Sequence, residues 1–463
     1  MSSPSRHRDP VLTANPSPYM RGLSKGVSEE LVRRISAEKS EPEWMLTHRL
    51  KCLRIFEKMP LPAWGPDLSR LPLDDIYYYA SAGAEEADDW GEVPPEIRRV
   101  YDRLGIPEAE RKVLAGVGAQ YESEVIYHRL KEQWKAQGVI FLDLDDALRM
   151  YPDLVRKYFM QCVPPTDHKF AALHGAVWSG GTFLYVPAGV TVTEPLQAYF
   201  RMNAKNMGQF EHTLIVAEEG ADVQYIEGCS APKYGSHALH AGCVEIFVKP
   251  GATMRYSSVE NWSRDTFNLN TKRALVERDG TMEWVGGNLG SGTTMLYPCS
   301  MLLGEGARCD HLGLAFANRG QWQDVGAKVF HLAPRTSSKV VSKSLSKAGG
   351  RTVYRGMLHI APQAEDSVAS ISCDALLLDE KSTTETIPTM QVRTDRATVA
   401  HEARVGKLST EDIFYVMSRG LSEEEAKAMI VNGFLEPIIR ELPLEYAVEM
   451  NRLIELEMEG SVG

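Results

Sequence analysis

Seven cysteines, at positions 52, 162, 229, 243, 299, 309 and 373, are the residues of this chain best suited to chemistry, and no two form a Cys-x-x-Cys pair. An odd count without that spacing argues against a disulfide framework and against a pre-built zinc or ferredoxin-type site. Cys52 falls in a helical stretch, Cys162 at a helix exit, and Cys243 and Cys309 in apolar alternation, so all four read as packing residues. Cys299 follows Pro298 and is undecided. Cys229 differs. It stands in Glu227-Gly228-Cys229-Ser230-Ala231-Pro232, where a strand is expected to end in a turn, with Lys233 close by. A turn thiol beside a cation is accessible and partly thiolate, as attack on a persulfide sulfur requires.

Cys373 shares strand parity with Ile371, Ala375 and Leu377, which makes a core cysteine the plain reading. His401 shares parity with Val399, Ala403 and Val405, while Glu402 takes the other face with Thr398, Ala400 and Arg404. Thiolate with imidazole suits iron or zinc, and a carboxylate completes an iron site. His401-Glu402 opens like a zinc-protease motif, but no second histidine follows four residues after the first. No P-loop or Rossmann glycine fingerprint is present, and Gly286-Gly287-Asn288-Leu289-Gly290 reads as a turn.

The elements that must position these residues fall into three stretches. Residues 27–160 carry helical signals after a tail over 1–26. Ser28 caps a first helix with Leu31 and Ile35 inward, and Pro94-Pro95-Glu96 opens another with Ile97, Val100 and Leu104 on one stripe. Residues 122–137 read as a third helix, burying Val125, Ile126 and Leu130. Val139 to Leu142 suits a strand, with short helices starting at Asp145 and Asp153. From 161 to 406 the pattern becomes short alternating segments broken by glycines. A repeat shows as EEGADVQY, KPGATMRY, ERDGTMEW, GEGARCDH and KAGGRTVY, at Gly220, Gly251, Gly280, Gly306 and Gly349, with the Gly280 copy slipped by one. Turn glycines opening alternating strands at such intervals suggest a stacked β-solenoid; a β-sandwich with regular hairpins is the competing reading. Residues 407–463 return to helices, with a capping box at Ser422–Glu425, stops at Gly420 and Gly433, and a last helix from Pro443. Ile413, Phe414 and Met417 form one apolar stripe there, and Met429, Ile430 and Phe434 another.

Composition narrows the function. Hydrophobic residues make up 43%, which excludes wholesale disorder, collagen and coiled coil. The net charge of −11 does not suit a dedicated nucleic-acid or anionic-membrane binder. No apolar run approaches the roughly 18 residues that span a bilayer, and the N-terminus lacks the apolar core of a signal peptide. A reducing, cytoplasmic setting is expected.

Several long stretches, among them KFAALHGAVWSGGTFLYVP, PLQAYFRMNAKNMGQFEHTLIVAEEGADVQYIEGCSAP and RGLSEEEAKAMIVNGFLEPIIRELPLEYAVEMNRLIELEMEG, resemble the SufB family of iron–sulfur cluster assembly scaffolds, from about residue 30 onward. The resemblance implies a right-handed parallel β-helix flanked by helical N- and C-terminal domains. It implies a non-enzymatic scaffold on which a transient Fe–S cluster forms. Cys229 would accept persulfide sulfur from a cysteine desulfurase relay, and Arg201, Asn203, Glu260, Trp262 and Lys272 would line a sulfur route inside the β-helix. Cys373, His401 and Glu402 would hold the nascent cluster against a SufD-type paralogue or a second copy. The C-terminal helices would bind a SufC-type ATPase, and a reduced flavin, FADH2, is left open as a cofactor. Glu260 stands where relatives can carry Gln, and Ala400 where some carry an acid. Two other readings compete: a SufD-like structural paralogue, disfavoured by retention of both Cys229 and Cys373, and a β-helix polysaccharide-cleaving enzyme.

Overall fold

The computed structural model describes residues 24–80, 87, 89–103, 114–202, 206–231, 235, 237–441, 450–451 and 454. Most of the N-terminal tail, Leu104, Asn203, Lys233 and Pro443 lie outside the described residues.

The repeat is a solenoid. Seven corners with a left-handed backbone recur at 27- to 31-residue intervals, at Gly189, Gly220, Gly251, Asp279, Gly306, Arg335 and Asp366. Each corner N–H reaches one coil forward: Gly220 donates to Pro250 O at 2.9 Å, Gly251 to Arg278 O at 2.8 Å and Asp279 to Glu305 O at 2.9 Å. The slipped Gly280 copy is explained here, because Asp279, not Gly280, occupies the left-handed corner. Asp tolerates that region by bonding locally. The Gly349 copy belongs to a different corner of the coil, following Gly320, and opens a strand of the second sheet.

One sheet stacks eight parallel rungs: Leu196–Arg201, Asp222–Ser230, Thr253–Asn261, Thr281–Asn288, Arg308–Ala317, Ser337–Ser346, Val368–Leu377 and Thr398–Lys407. Opposite it each early coil makes two short strands, such as Thr266–Asn268 and Thr271–Val276. Later the two straighten into one: Trp322–Val325 and Lys328–His331 both pair with Arg351–Ile360. Gly326 sits at the last bend, where a Cβ would lie 1.9 Å from the Arg355 carbonyl.

Alternation sends Val223, Met254, Met282 and Cys309 into the lumen against Ile215, Ile246 and Ala274. The outer faces of the early coils are covered. Leu144, Leu148, Val155 and Tyr158 pack on Phe183, Leu214 and Phe247. The helix Glu423–Ile439 lays Val431, Leu435 and Ile438 on Val259, Val285, Leu314 and Phe316 of the long sheet. The last rungs are bare: Ile387, Met390, Val392 and Val405 are exposed large apolar residues on the two terminal strands.

Three local expectations are corrected. Residues 122–137 do not form one helix. Glu124–Leu130 is a strand paired antiparallel with Gly116–Tyr121, which itself adds in parallel to the first rung, and only Glu132–Lys135 is helical. Val125, Ile126 and Tyr127 favour a pleated surface, and Glu122 takes a left-handed turn between the strands. Gly286 and Gly287 lie inside the strand Thr281–Asn288 rather than in a turn. Gly433 does not stop its helix, which runs on to Ile439, whereas Gly420 does take the left-handed conformation.

Candidate functional site

Register divides the inner face of the long sheet into columns. One runs Tyr225, Tyr256, Trp284, His311, Val340, Ile371 and His401. The next runs Glu227, Ser258, Gly286, Gly313, Ser342 and Cys373. Beside it Cys229 faces Glu260, which faces Asn288. The second column is a lane of small residues between an acid and a thiol. A Cβ added at Gly313 would meet nothing within 4 Å, and one at Gly286 only the Ser258 hydroxyl at 3.7 Å. Glycine here keeps the lumen open, whereas at the corners it supplies a left-handed turn. An interior cavity of about 50 Å³ follows this lane, lined by Ser258 and Lys272 at one end and Ser342 and Tyr354 at the other.

At the first end lies a buried ionic cluster. Lys272 Nζ donates to Glu260 Oε1 at 2.7 Å and to the Ser258 hydroxyl at 3.2 Å, and lies 3.7 Å from Glu227 Oε1. Asn268 donates to the other Glu260 oxygen at 2.5 Å, and His240 contacts Asn268 at 2.9 Å and Glu211 more closely. The Trp262 ring lies 4.1 Å from that of His240. Arg201 donates to the Ser230 hydroxyl, next to Cys229, at 2.8 Å. Burial alone would raise Glu260, but Lys272 and then His240 hold its carboxyl below the usual range. Burial likewise opposes charge on Lys272, yet Glu260 and Glu227 raise it above its ordinary value. For Glu227, burial outweighs Lys272 and its carboxyl is raised. The charge that Glu260 brings into the lumen is therefore neutralised on the spot.

Cys229 is not in a turn. It is 1% exposed inside the strand Asp222–Ser230, 3.9 Å from Glu227 Oε1. Burial, then Glu227, Glu260 and Glu211, push its thiol well up, with Lys272 opposing. The expectation of an exposed, partly ionised thiol is corrected: the strand persists through the Gly-Cys-Ser stretch because parallel neighbours on both sides complete its hydrogen bonds.

At the other end, burial pushes the Cys373 thiol up to about 12, the Tyr354 hydroxyl beside it pulling the other way. Register passes without interruption from Val368–Leu377 to Thr398–Lys407, so strict parity holds. His401, opposite Ile371, stands diagonally from Cys373 on the same face, and its Nε2 is buried without a hydrogen-bond partner. Glu402 is on the other face, accepting from the Ser372 hydroxyl at 3.1 Å and from Arg404 at 3.0 Å. The structure thus brings Arg201, Glu260, Trp262 and Lys272 around Cys229, and His401 beside Cys373, but turns Glu402 away. No arrangement among the described residues speaks for FADH2.

Sequence reasoning missed Glu227, Gly286, Gly313, Ser342 and Tyr354. The signal was present: the residues seven after Gly220, Gly251 and Gly306, and six after the slipped Gly280, are Glu227, Ser258, Gly313 and Gly286.

The solenoid thus carries two buried thiols, Cys373 at one end of the small-residue lane and Cys229 one column from the other. Residues 200–434 match the family model of the SufBD core domain of SUF-system FeS cluster assembly, and residues 119–198 match that of the SufBD N-terminal region. SufBD family proteins of Staphylococcus haemolyticus and of Staphylococcus aureus strain MRSA252, described as iron–sulfur cluster assembly proteins, are 56% identical over 439 residues, 95% of this chain and 94% of each relative. The chain belongs to the SufBD family of iron–sulfur cluster assembly proteins. Among the described residues no helix is long and apolar enough to cross a membrane.

Proposed function

We propose that this chain is the SufB-type scaffold subunit of its assembly system, taking persulfide sulfur at Cys229 and passing it along the lumen to a cluster nascent at Cys373 and His401. The observation that carries this reading is the small-residue lane ending at Cys373. Its other end lies one column from Cys229. At about 4.8 Å per rung, the five steps from Glu227 to Cys373 span roughly 24 Å. The orphaned Nε2 of His401 on the face of Cys373 adds a second donor suited to iron. Burial of Cys229 in the ionic cluster then protects the transferred sulfur from solvent, and Lys272 supplies a fixed positive charge for an anionic sulfur species.

The bare terminal strands Thr383–Val392 and Thr398–Lys407 fit strand-edge pairing with a SufD-type paralogue or a second copy. Phe414 and Tyr415, 71% and 63% exposed, fit a hydrophobic groove on a SufC-type ATPase. Transferring the desulfurase relay's sulfur in the presence of cysteine tests the role. Mass spectrometry is expected to find the added sulfur on Cys229, and a purely structural SufD-like paralogue would acquire none.

A further inference from the structure

Outside the lumen, beneath the N-terminal helices, lies a second group of donors that the proposed function does not use. His174 is on the helix Lys169–Val177, while His212 and Cys243 open adjacent strands and face each other in register. All three are buried, and their Nδ1/Nε2 and Sγ ligand atoms lie within 4.8 Å of one another.

The hydrogen bonds around the two imidazoles decide which nitrogens are bare. His174 Nδ1 lies 3.0 Å from the Ala241 carbonyl, which only accepts, so Nδ1 carries the proton and Nε2 the lone pair. His212 Nε2 lies 3.1 Å from Glu245 Oε2. That carboxylate also accepts from the backbone N–H groups of Met160 at 2.5 Å and of Cys162 and Val163 at 2.7 Å. Three N–H donors suit an ionised carboxylate, to which His212 Nε2–H donates, leaving Nδ1 bare. The two bare nitrogens then face each other at 2.9 Å. A carbonyl and a carboxylate holding the far nitrogens are the outer partners typical of metal-binding histidines. Without a cation, one proton must sit between those two nitrogens for them to stand that close.

We propose that His174, His212 and Cys243 bind one divalent transition-metal ion of the zinc class, which clamps the helix to the solenoid. Two imidazoles and a thiolate match zinc's borderline softness, and its ligands stand roughly 3.3–3.6 Å apart, so the rings need to part by about 0.4 Å. Binding releases the Cys243 proton and the proton held between His174 Nε2 and His212 Nδ1, while the Nε2–H of His212 stays on Glu245. The site is distinct from the Cys373 end of the lumen and stands whether or not the scaffold reading does.

The test uses the full chain refolded anaerobically with zinc, desalted, and analysed for metal. About one zinc per chain is expected in wild type and in Cys373→Ser, and less than a tenth in Cys243→Ser or His174→Gln. Should those variants not fold, cobalt(II) loading of the Cys373→Ser protein decides. A thiolate-to-cobalt charge-transfer band with a spectrum of one sulfur and two imidazoles is expected. Less than a tenth of a zinc in wild type, zinc retained by folded Cys243→Ser, or a cobalt spectrum without the thiolate band would overturn the proposal and leave a metal-free hydrogen-bonded network.

Discussion

Glu227 and Cys373 occupy the same column of the solenoid's inner face, five rungs apart, with only Ser258, Gly286, Gly313 and Ser342 between them. The acid end of that column is an ionic cluster and the thiol end lies one rung from the bare terminus. Interior columns of a solenoid are ordinarily filled by apolar stacks, as the Val223–Met254–Met282 column, two columns away, is. Giving the middle of one column only Ser and Gly sacrifices packing contacts, which is intelligible if something passes along it.

The ionic cluster makes a stability prediction. Lys272 and Glu260 are each 1% exposed by side chain, so Lys272→Met should cost about 3–5 kcal/mol in denaturant unfolding by stranding Glu260. Glu227→Gln should behave oppositely. Its carboxyl is raised in the fold, so above the unfolded value of about 4.3 ionisation favours the unfolded chain, and removing it is expected to be neutral or stabilising at pH 7. Glu260 is lowered, so its contribution is present above about 4.3 and is lost as pH falls. Equal losses in both variants would contradict the charge assignment.

Thiol reactivity checks the burial of the two cysteines. At pH 8.5 a free cysteine is about half thiolate, whereas Cys373 is held near 12 and Cys229 well above its ordinary value. Native-state alkylation of both should be slower than that of free cysteine by at least about a hundredfold. Rates within tenfold of free cysteine would show that the lumen opens readily.

The split between His401 and Glu402 can be read from cluster absorption after anaerobic reconstitution with ferrous iron and sulfide. Cys373→Ser should lose most of it and His401→Ala a large part. Glu402→Ala should retain most of it, because Glu402 points away and is held by Ser372 and Arg404. A Glu402 variant as damaged as the His401 variant would mean that a partner chain reshapes the last rung.

For the ATPase contact, deleting residues 409–463 is a poor test, since Val431, Leu435 and Ile438 cover the long sheet and their loss would expose it. Phe414→Asp with Tyr415→Asp leaves that packing intact. Co-purification of the ATPase is expected to fall at least tenfold in the double variant, with unchanged circular dichroism. Wild-type recovery would place the contact elsewhere.

The solenoid was legible because corner chemistry repeats: Gly220, Gly251 and Gly306 announce coils even though Asp279, Arg335 and Asp366 take over the same corner without a glycine. The lumen was not, because register is a relation between strands far apart in sequence. Gly286 looked like a turn residue since one glycine signal serves both left-handed backbone and missing volume, and only its neighbours say which applies. Cys229 looked exposed for a similar reason, its Gly-Ser-Pro surroundings being local, whereas the parallel strands that bury it come from Leu196–Arg201 and Thr253–Asn261. The parity of Cys373, His401 and Glu402 follows from period-two counting alone, because no bulge interrupts the last two rungs.

The most direct measurement compares two sulfur sources in Gly313→Leu. The side chain enters open space in the lane and leaves Cys229, Cys373 and His401 untouched. Cluster assembly fed by the desulfurase relay is expected to fall at least tenfold while persulfide still forms on Cys229, and assembly from free sulfide, which reaches Cys373 from the bare end, should stay near wild type. Relay-fed assembly at the wild-type rate in the folded variant would contradict passage of sulfur through the lumen.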